Sequence, residues 1–248
     1  MKNSRFLVLG ETCKDIYVYC AAKRLAPDFP VPVLEISTIT ENPGMAMNLR
    51  RNILQVRNQC DIVTNSNWET ITKTRYVHEE TNYMFIRIDS PHIIEPFNLN
   101  DLDFSYDYII ISDYDKGFLS QSDIKFISTN HQNVFLDTKK VLGPWADNCR
   151  FIKVNDYEYR RSQGNISKHL DARIIRTLGK EGCLYQGKQF KTREVDVRDS
   201  SGAGDAFFAA FVVEFNNSGN VEQSLEFANS CASKVVSERG VTLICPEL

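Results

Sequence analysis

The residues Asp199-Ser-Ser-Gly-Ala-Gly-Asp205 run directly into the apolar segment Ala206 to Phe215. Gly202, Ala203 and Gly204 carry almost no side chain, so backbone N–H groups there can close on an anion. The apolar stretch behind them reads as a buried helix whose N-terminus, with the favourable end of its dipole, points at that anion. Asp205 falls in the first turn of this helix, and a carboxylate beside an anion site is explained as a general base waiting for a hydroxyl proton. That is the layout of phosphoryl transfer. A lone Gly-x-Gly is more often a tight turn or a packing contact, but here aspartates flank contiguous small residues on both sides. No Gly-Lys-Ser/Thr follows, which excludes a Walker loop.

Such a loop needs a rigid scaffold. Short apolar runs alternate with helix-like segments, which predicts an α/β fold, a parallel sheet covered by helices on both faces. The predicted core strands are Phe6 to Gly10, Asp61 to Thr64, Tyr108 to Ser112, Val134 to Asp137, Phe151 to Val154 and Ala172 to Thr177. The predicted helices are Met45 to Arg57, Ser120 to Thr129, Asp156 to Ser162, Ala203 to Asn216 and Val221 to Ser237. Gly182 to Tyr185 and Gln189 to Lys191 read as a hairpin around Gln186-Gly-Lys188. Ile16 to Cys20, Val31 to Thr38, Ile71 to Val77 and Tyr83 to Ile88 alternate like half-exposed strands, and we read them as a small antiparallel lid over residues 16–38 and 71–88. Two ordinary surface hairpins are the competing reading.

At 248 residues the chain suits one domain, 1–248, with that lid as an appendage. A net charge of −3 with no basic block argues against nucleic acid as a partner, so any anion site must be local. The seven cysteines are scattered, with no Cys-x-x-Cys pair and no zinc spacing with the four histidines, and read as small buried residues in a reducing compartment. No signal-peptide core and no run long enough to span a bilayer is seen, so the expectation is a cytoplasmic protein without a membrane partner.

In open parallel sheets, ligands bind at the C-terminal ends of the strands. The polar residues at those exits are Glu11 and Asp15, Asp113 and Lys116, Asp137 and Lys139, Asn155 and Glu158, and Gly179 and Gly182. Any one of them alone reads more readily as a solvated loop residue. Five such exits plus an anion hole make a coherent site.

The Asp199 to Asp205 string resembles the signature of the ribokinase/PfkB carbohydrate kinases, with Ser200 where Thr more usually follows the first Asp. The resemblance extends to the heptose-7-phosphate kinase branch, which includes the kinase domain of bifunctional ADP-heptose synthases. Gly10-Glu-Thr-Cys-Lys-Asp15 and Ala26-Pro-Asp-Phe-Pro-Val-Pro-Val33 look like its opening, and Asn42-Pro-Gly-Met-Ala-Met-Asn48 is similar to its Pro-Gly-Gly-Ala-Ala-Asn segment. Thr72-Lys-Thr-Arg75, Ile86-Arg-Ile-Asp89, Ser112-Asp-Tyr-Asp-Lys-Gly117 and Asp137-Thr-Lys139 follow in matching order. Asn155-Asp-Tyr-Glu158 resembles the family's Asn-x-x-Glu motif, and Thr177-Leu-Gly-Lys-Glu-Gly182 its nucleotide-side turn. Ala228-Asn229 and Gly240-Val-Thr242 resemble the segments bordering the adenine.

The resemblance implies a ribokinase-like three-layer αβα sandwich using ATP and Mg²⁺, with a monovalent cation requirement left open. It implies Asp205 as catalytic base and Gly202, Ala203 and Gly204 as the anion hole. Asp15, Gly44, Asn48 and Asp113 would meet the sugar. Lys73, Arg75, Lys116 and Lys139 are the cations available to a phosphate already on the substrate. Lys139, Asn155, Thr177, Gly179, Gly182 and Asn229 would line the nucleotide side, and Asn155 and Glu158 would hold magnesium through water. The implied acceptor is D-glycero-D-manno-heptose 7-phosphate, phosphorylated at the anomeric hydroxyl on a route to nucleotide-activated heptose for surface lipopolysaccharide. With no nucleotidyltransferase segment in the sequence, only the kinase step is expected.

Four departures fall mostly on the sugar side. Glu11 stands where the branch usually has Asp, Met45 replaces a glycine, and Lys140 replaces another. The chain between Val63 and Thr70 is shorter than in relatives by a helix and a strand. These keep open a kinase for another sugar or sugar phosphate, or a catalytically silent nucleotide-binding relative. A homodimer through the lid is compatible with the sequence.

Overall fold

The computed structural model describes residues 4–245. The chain begins with β1 (Phe6–Gly10), β2 (Thr12–Leu25) and β3 (Pro32–Met45), followed by α1 (Ala46–Leu54), β4 (Asp61–Val63), β5 (Thr72–His78) and β6 (Met84–Asp89). It continues with β7 (Tyr108–Asp113), α2 (Gln121–Asn130), β8 (Val134–Thr138), β9 (Phe151–Asn155), α3 (Asp156–Ser162), α4 (Lys168–Asp171) and β10 (Ile174–Thr177). The hairpin β11 (Cys183–Tyr185) and β12 (Lys188–Phe190) leads to α5 (Ala203–Ser218) and α6 (Val221–Val236).

The main sheet has the order β12-β11-β10-β9-β8-β7-β1-β4. It is parallel from β4 to β10, and only the terminal hairpin runs antiparallel. Strand side chains alternate between two cores. Phe6, Val8, Ile110 and Phe135 pack with Leu49, Ile53, Phe208 and Phe211 of α1 and α5. Leu7, Leu9, Ile111 and Leu136 pack with Ile124, Ile127 and Leu170 of α2 and α4. Because both faces are covered, the strands read as unbroken apolar runs rather than as alternating ones.

The four expected lid strands form a second sheet, ordered β3-β2-β5-β6. It is not wholly antiparallel: β2 and β5 pair in parallel, from Lys14↔Thr72 to Cys20↔His78. The reason is connectivity. The chain enters β2 one residue after β1, and β5 shortly after β4, so both strands leave the main sheet in the same direction. Strands β3 and β6 are the returns.

The lid strands are also longer than expected. Asn42-Pro-Gly44 looks like a turn, yet it continues β3 in register with Asp15, Lys14 and Cys13 respectively. A proline is tolerated there because β3 is an edge strand and its missing N–H costs no ladder bond. The expected helix start at Met45 moves to Ala46, with Met45 in a positive-φ conformation (φ 59°) that favours glycine. Helix α4 was not anticipated, and it delays the expected strand from Ala172 to Ile174.

Candidate active site

The loop before α5 is shaped by its own side chains. The Ser201 N–H donates to Asp199 Oδ1 (2.8 Å), and Gly202 caps the helix in the left-handed region at φ 79°. A Cβ at Gly202 would lie 3.1 Å from Asn48 Nδ2, and one at Gly204 only 3.0 Å from Lys153 Nζ. The Ala203 N–H turns back to Ser200 O at 3.3 Å. The Gly204 amide, in the first turn, has no helical carbonyl four residues back to bond. This side of the loop therefore combines first-turn amides with a buried lysine ammonium, a pairing suited to an anion.

Asp205 is 8% exposed. Its Oδ2 accepts from Asn48 Nδ2 (2.7 Å), and its Oδ1 accepts from the Tyr114 hydroxyl (3.3 Å). Burial pushes its carboxyl up to about 6; the Asn48 amide, Lys153 and the Tyr114 hydroxyl counter this, while Asp137 adds to it. A carboxyl in that range suits a base working near neutral pH. Lys153 pairs with Asp137 Oδ2 at 2.8 Å, both side chains being almost fully buried. Among the described residues Asp137 Oδ1 and Asn48 Oδ1 are buried without a hydrogen-bond partner, so polar capacity stays free beside Asp205.

On the second sheet, Asp15 Oδ1 accepts from Arg75 Nη1 (2.6 Å), and Gly44 lies so close that a Cβ there would sit 2.2 Å from Asp15 Oδ2. Lys73 directs its ammonium at Met45 Sδ (3.1 Å) and lies 5.3 Å from the Tyr114 ring centroid. Among the described residues Lys73 forms no ion pair, whereas Arg75 is matched to Asp15 and Lys139 to Glu158 (2.5 Å). Burial pushes the nearby Cys13 thiol up to about 11, so it stays neutral.

The Asn155 to Glu158 motif has a local explanation. Asn155 caps α3: its Oδ1 accepts from the Glu158 N–H (2.9 Å) while Glu158 Oε2 accepts from the Asn155 N–H (2.7 Å), a reciprocal capping box. Glu158 Oε1 faces Lys139, whose pKa burial would lower but Asp137 and Glu158 raise. Among the described residues no group of three or more His, Cys, Asp or Glu could enclose a metal. Glu158 is the carboxylate here that would hold a hydrated Mg²⁺ through water, since that ion keeps much of its hydration shell, and the ion would supply positive charge toward a phosphate. Thr177 ends β10, and Gly179 follows at φ 60° with open space around its Cβ position. Both line a cleft of about 560 Å³ with Asn155, Tyr157, Arg176 and Leu184.

Other expected site residues have partners of their own or face solvent. Asp113 is buried against Lys140 Nζ (2.6 Å) and the Thr138 hydroxyl, and so is spent on the protein. The Lys116 side chain is exposed, and only its backbone N–H reaches inward, to Glu11. Asn229 is buried in α6 and donates to Phe190 O (2.8 Å). Gly182 lets the hairpin close, since a Cβ there would meet Phe190 O at 2.0 Å.

Lys153 and Tyr114 join these residues only in the structure. Lys153 had a legible signal, a lone cation inside the apolar strand Phe-Ile-Lys-Val-Asn. Tyr114 had none, because a tyrosine after a strand is common.

A parallel sheet between two helical layers, with a second sheet built from the strands that leave it and a glycine-rich turn at the start of a buried helix, defines a ribokinase-like fold. Ribokinase from Thermotoga maritima superposes with a TM-score of 0.74 at 16% identity, covering 96% of this chain and 94% of that one. Arabidopsis thaliana ribokinase complexed with ribose and ATP gives 0.67 at 17%, covering 97% and 95%. Residues 129–248 match the pfkB family carbohydrate kinase model. The bifunctional protein HldE of Helicobacter pylori strain J99 is 27% identical over 96% of this chain, which spans 64% of that relative's length. The chain is thus similar to pfkB family carbohydrate kinases through residues 129–248, and to HldE along nearly its whole length.

Proposed function

We propose that the chain transfers the γ-phosphoryl group of ATP to a hydroxyl of a sugar phosphate, with D-glycero-D-manno-heptose 7-phosphate, at its anomeric hydroxyl, as the acceptor. The observation that carries this is Asp205, a buried carboxyl raised to about 6, held between Asn48 of the acceptor side and the Gly202 to Gly204 turn. Asp205 takes the proton of the attacking hydroxyl. The Gly204 amide and Lys153 meet the charge on the transferring phosphoryl group, by the logic of a preorganised anion hole. Magnesium, held through water near Glu158, would neutralise the donor phosphates.

For the phosphate already on the acceptor, Lys73 is the cation best supported, because it alone of the four candidates combines partial burial with freedom from a carboxylate. Asp15, held by Arg75 and Gly44, would receive sugar hydroxyls. Thr177, Gly179 and Asn155 would border the nucleotide. The similarity to HldE of Helicobacter pylori supports the heptose acceptor. Met45, at a positive φ that favours glycine, and Lys140, which engages the expected sugar ligand Asp113, support a different sugar phosphate as the second reading. Exposed Ile36, Ile39, Ile86 and Ile88 on the second sheet support a homodimer through that surface. A cytoplasmic location is part of the same proposal; among the described residues no helix is long and apolar enough to cross a membrane.

The test is magnesium-dependent ADP release with heptose 7-phosphate beside a panel of hexoses, pentoses and their phosphates, with and without potassium. Selective turnover with the heptose phosphate is the expected result. Selective turnover with another sugar would overturn the acceptor while keeping the transfer chemistry. ATP binding without turnover of any acceptor would overturn both.

A further inference from the structure

We propose that Tyr114 is a positioning residue for the base: its hydroxyl holds Asp205 Oδ1, and its loop is fastened in place by Glu11 and Lys140. The catalytic consequence rests on the kinase reading above; the contact itself does not.

Tyr114 is the first residue beyond β7, and a turn of this kind is ordinarily loose. Here the buried Glu11 carboxylate accepts three backbone N–H groups, from Tyr114 (2.8 Å), Lys116 (2.9 Å) and Phe118 (3.4 Å). From the other side Lys140 bridges Asp113 (2.6 Å) and Asp115 (3.0 Å), and the Lys139 N–H donates to Asp113 O (3.0 Å). Glu11 and Lys140 are two of the four departures noted in the sequence, and both act on this one turn. An Asp at position 11 would be one methylene shorter, and a Gly at 140 would leave the buried Asp113 without a cation.

The fastened turn brings the Tyr114 ring close to two ammonium groups, Lys73 Nζ at 5.3 Å and Lys139 Nζ at 5.5 Å from its centroid. Its hydroxyl then reaches the one Asp205 oxygen that Asn48 does not hold. Burial and the facing Asp205 and Asp137 carboxylates keep the phenol protonated, so it can only donate to the base. The charged groups around this pair are Asp137 of β8, Lys153 of β9, Lys139 beyond β8, Lys73 of β5 and Asp15 of β2. Replacing Tyr114 by phenylalanine alters none of those charges. It removes only a donor that favours the ionised base.

The experiment is a carboxyl-carbon NMR titration of protein labelled with ¹³C-aspartate, with the Asp205 signal assigned by its loss in Asp205→Asn. In Tyr114→Phe the Asp205 midpoint should rise by about one pH unit, the size expected when a charged acceptor loses a hydrogen bond. The acid limb of kcat/KM should move with it, with the rate recovering at higher pH. An unchanged or lowered midpoint, in a variant whose amide spectrum matches the parent, would overturn the proposal. A raised midpoint in a protein that turns over no acceptor would support the contact and count against the kinase reading alone.

Discussion

Asp205→Asn should stabilise the protein, and by an amount that depends on pH. The wild-type carboxyl sits at about 6 in the folded chain against an ordinary value of 3.8, because burial penalises its charge more than Asn48, Lys153 and Tyr114 relieve it. A rise of roughly two units corresponds to about 3 kcal/mol between the two protonation states. A carboxyl whose folded pKa is raised holds its proton more tightly in the native state, so stability falls as pH rises from 3.8 through about 6. Asparagine has nothing to ionise and keeps the shape: its oxygen can accept from Asn48, and its amide can donate to the Tyr114 oxygen. The gain should be about 3 kcal/mol near pH 8 and about 1 kcal/mol near pH 4.5. For a chain of this size that is a Tm increase of about 6–12 °C against about 2–4 °C. Thermal unfolding followed by circular dichroism at the two pH values measures both. Equal increases at the two pH values, or a loss of stability near pH 8, would refute the assignment of a buried, charge-strained carboxyl.

Gly44→Ala should strike acceptor binding rather than the fold. The new Cβ would sit 2.2 Å from Asp15 Oδ2, the far end of a side chain that can swing away only by leaving Arg75. The acceptor KM should rise about tenfold or more with the ATP KM unchanged, the signature of lost ground-state binding; an ATP-side effect would contradict the geometry. Lys153→Met should lower stability by about 3–5 kcal/mol by leaving Asp137 charged and buried without its partner. Adding Asp137→Leu should restore most of that loss in the urea midpoint. Additive losses in the double variant would show that the two side chains do not act as a pair.

Much of this protein was readable from local pattern. The apolar strands and the Gly-Ala-Gly turn entering a hydrophobic helix are local in sequence, and short-range sterics and hydrogen bonding are enough to specify them, whereas the capping role of Asn155 and Glu158 emerged only in the structure. What sequence could not supply was any relation between residues far apart in the chain. The parallel pairing of β2 with β5 follows from where the main sheet releases the chain, and the survival of β3 through Pro43 follows from its place at an edge. Asp113, Asn229 and Lys116 carry side chains suited to a ligand, yet tertiary packing commits the first two to internal partners and leaves the third in solvent. The reverse holds for Lys153 and Tyr114, which join the candidate site only because β9 brings Lys153 against Gly204 and the turn after β7 is tied to Glu11. Residue type decides which chemistry a side chain can perform. Which atoms are left free to perform it depends on the neighbours the fold provides, because a buried polar group with a good partner gains nothing by giving it up.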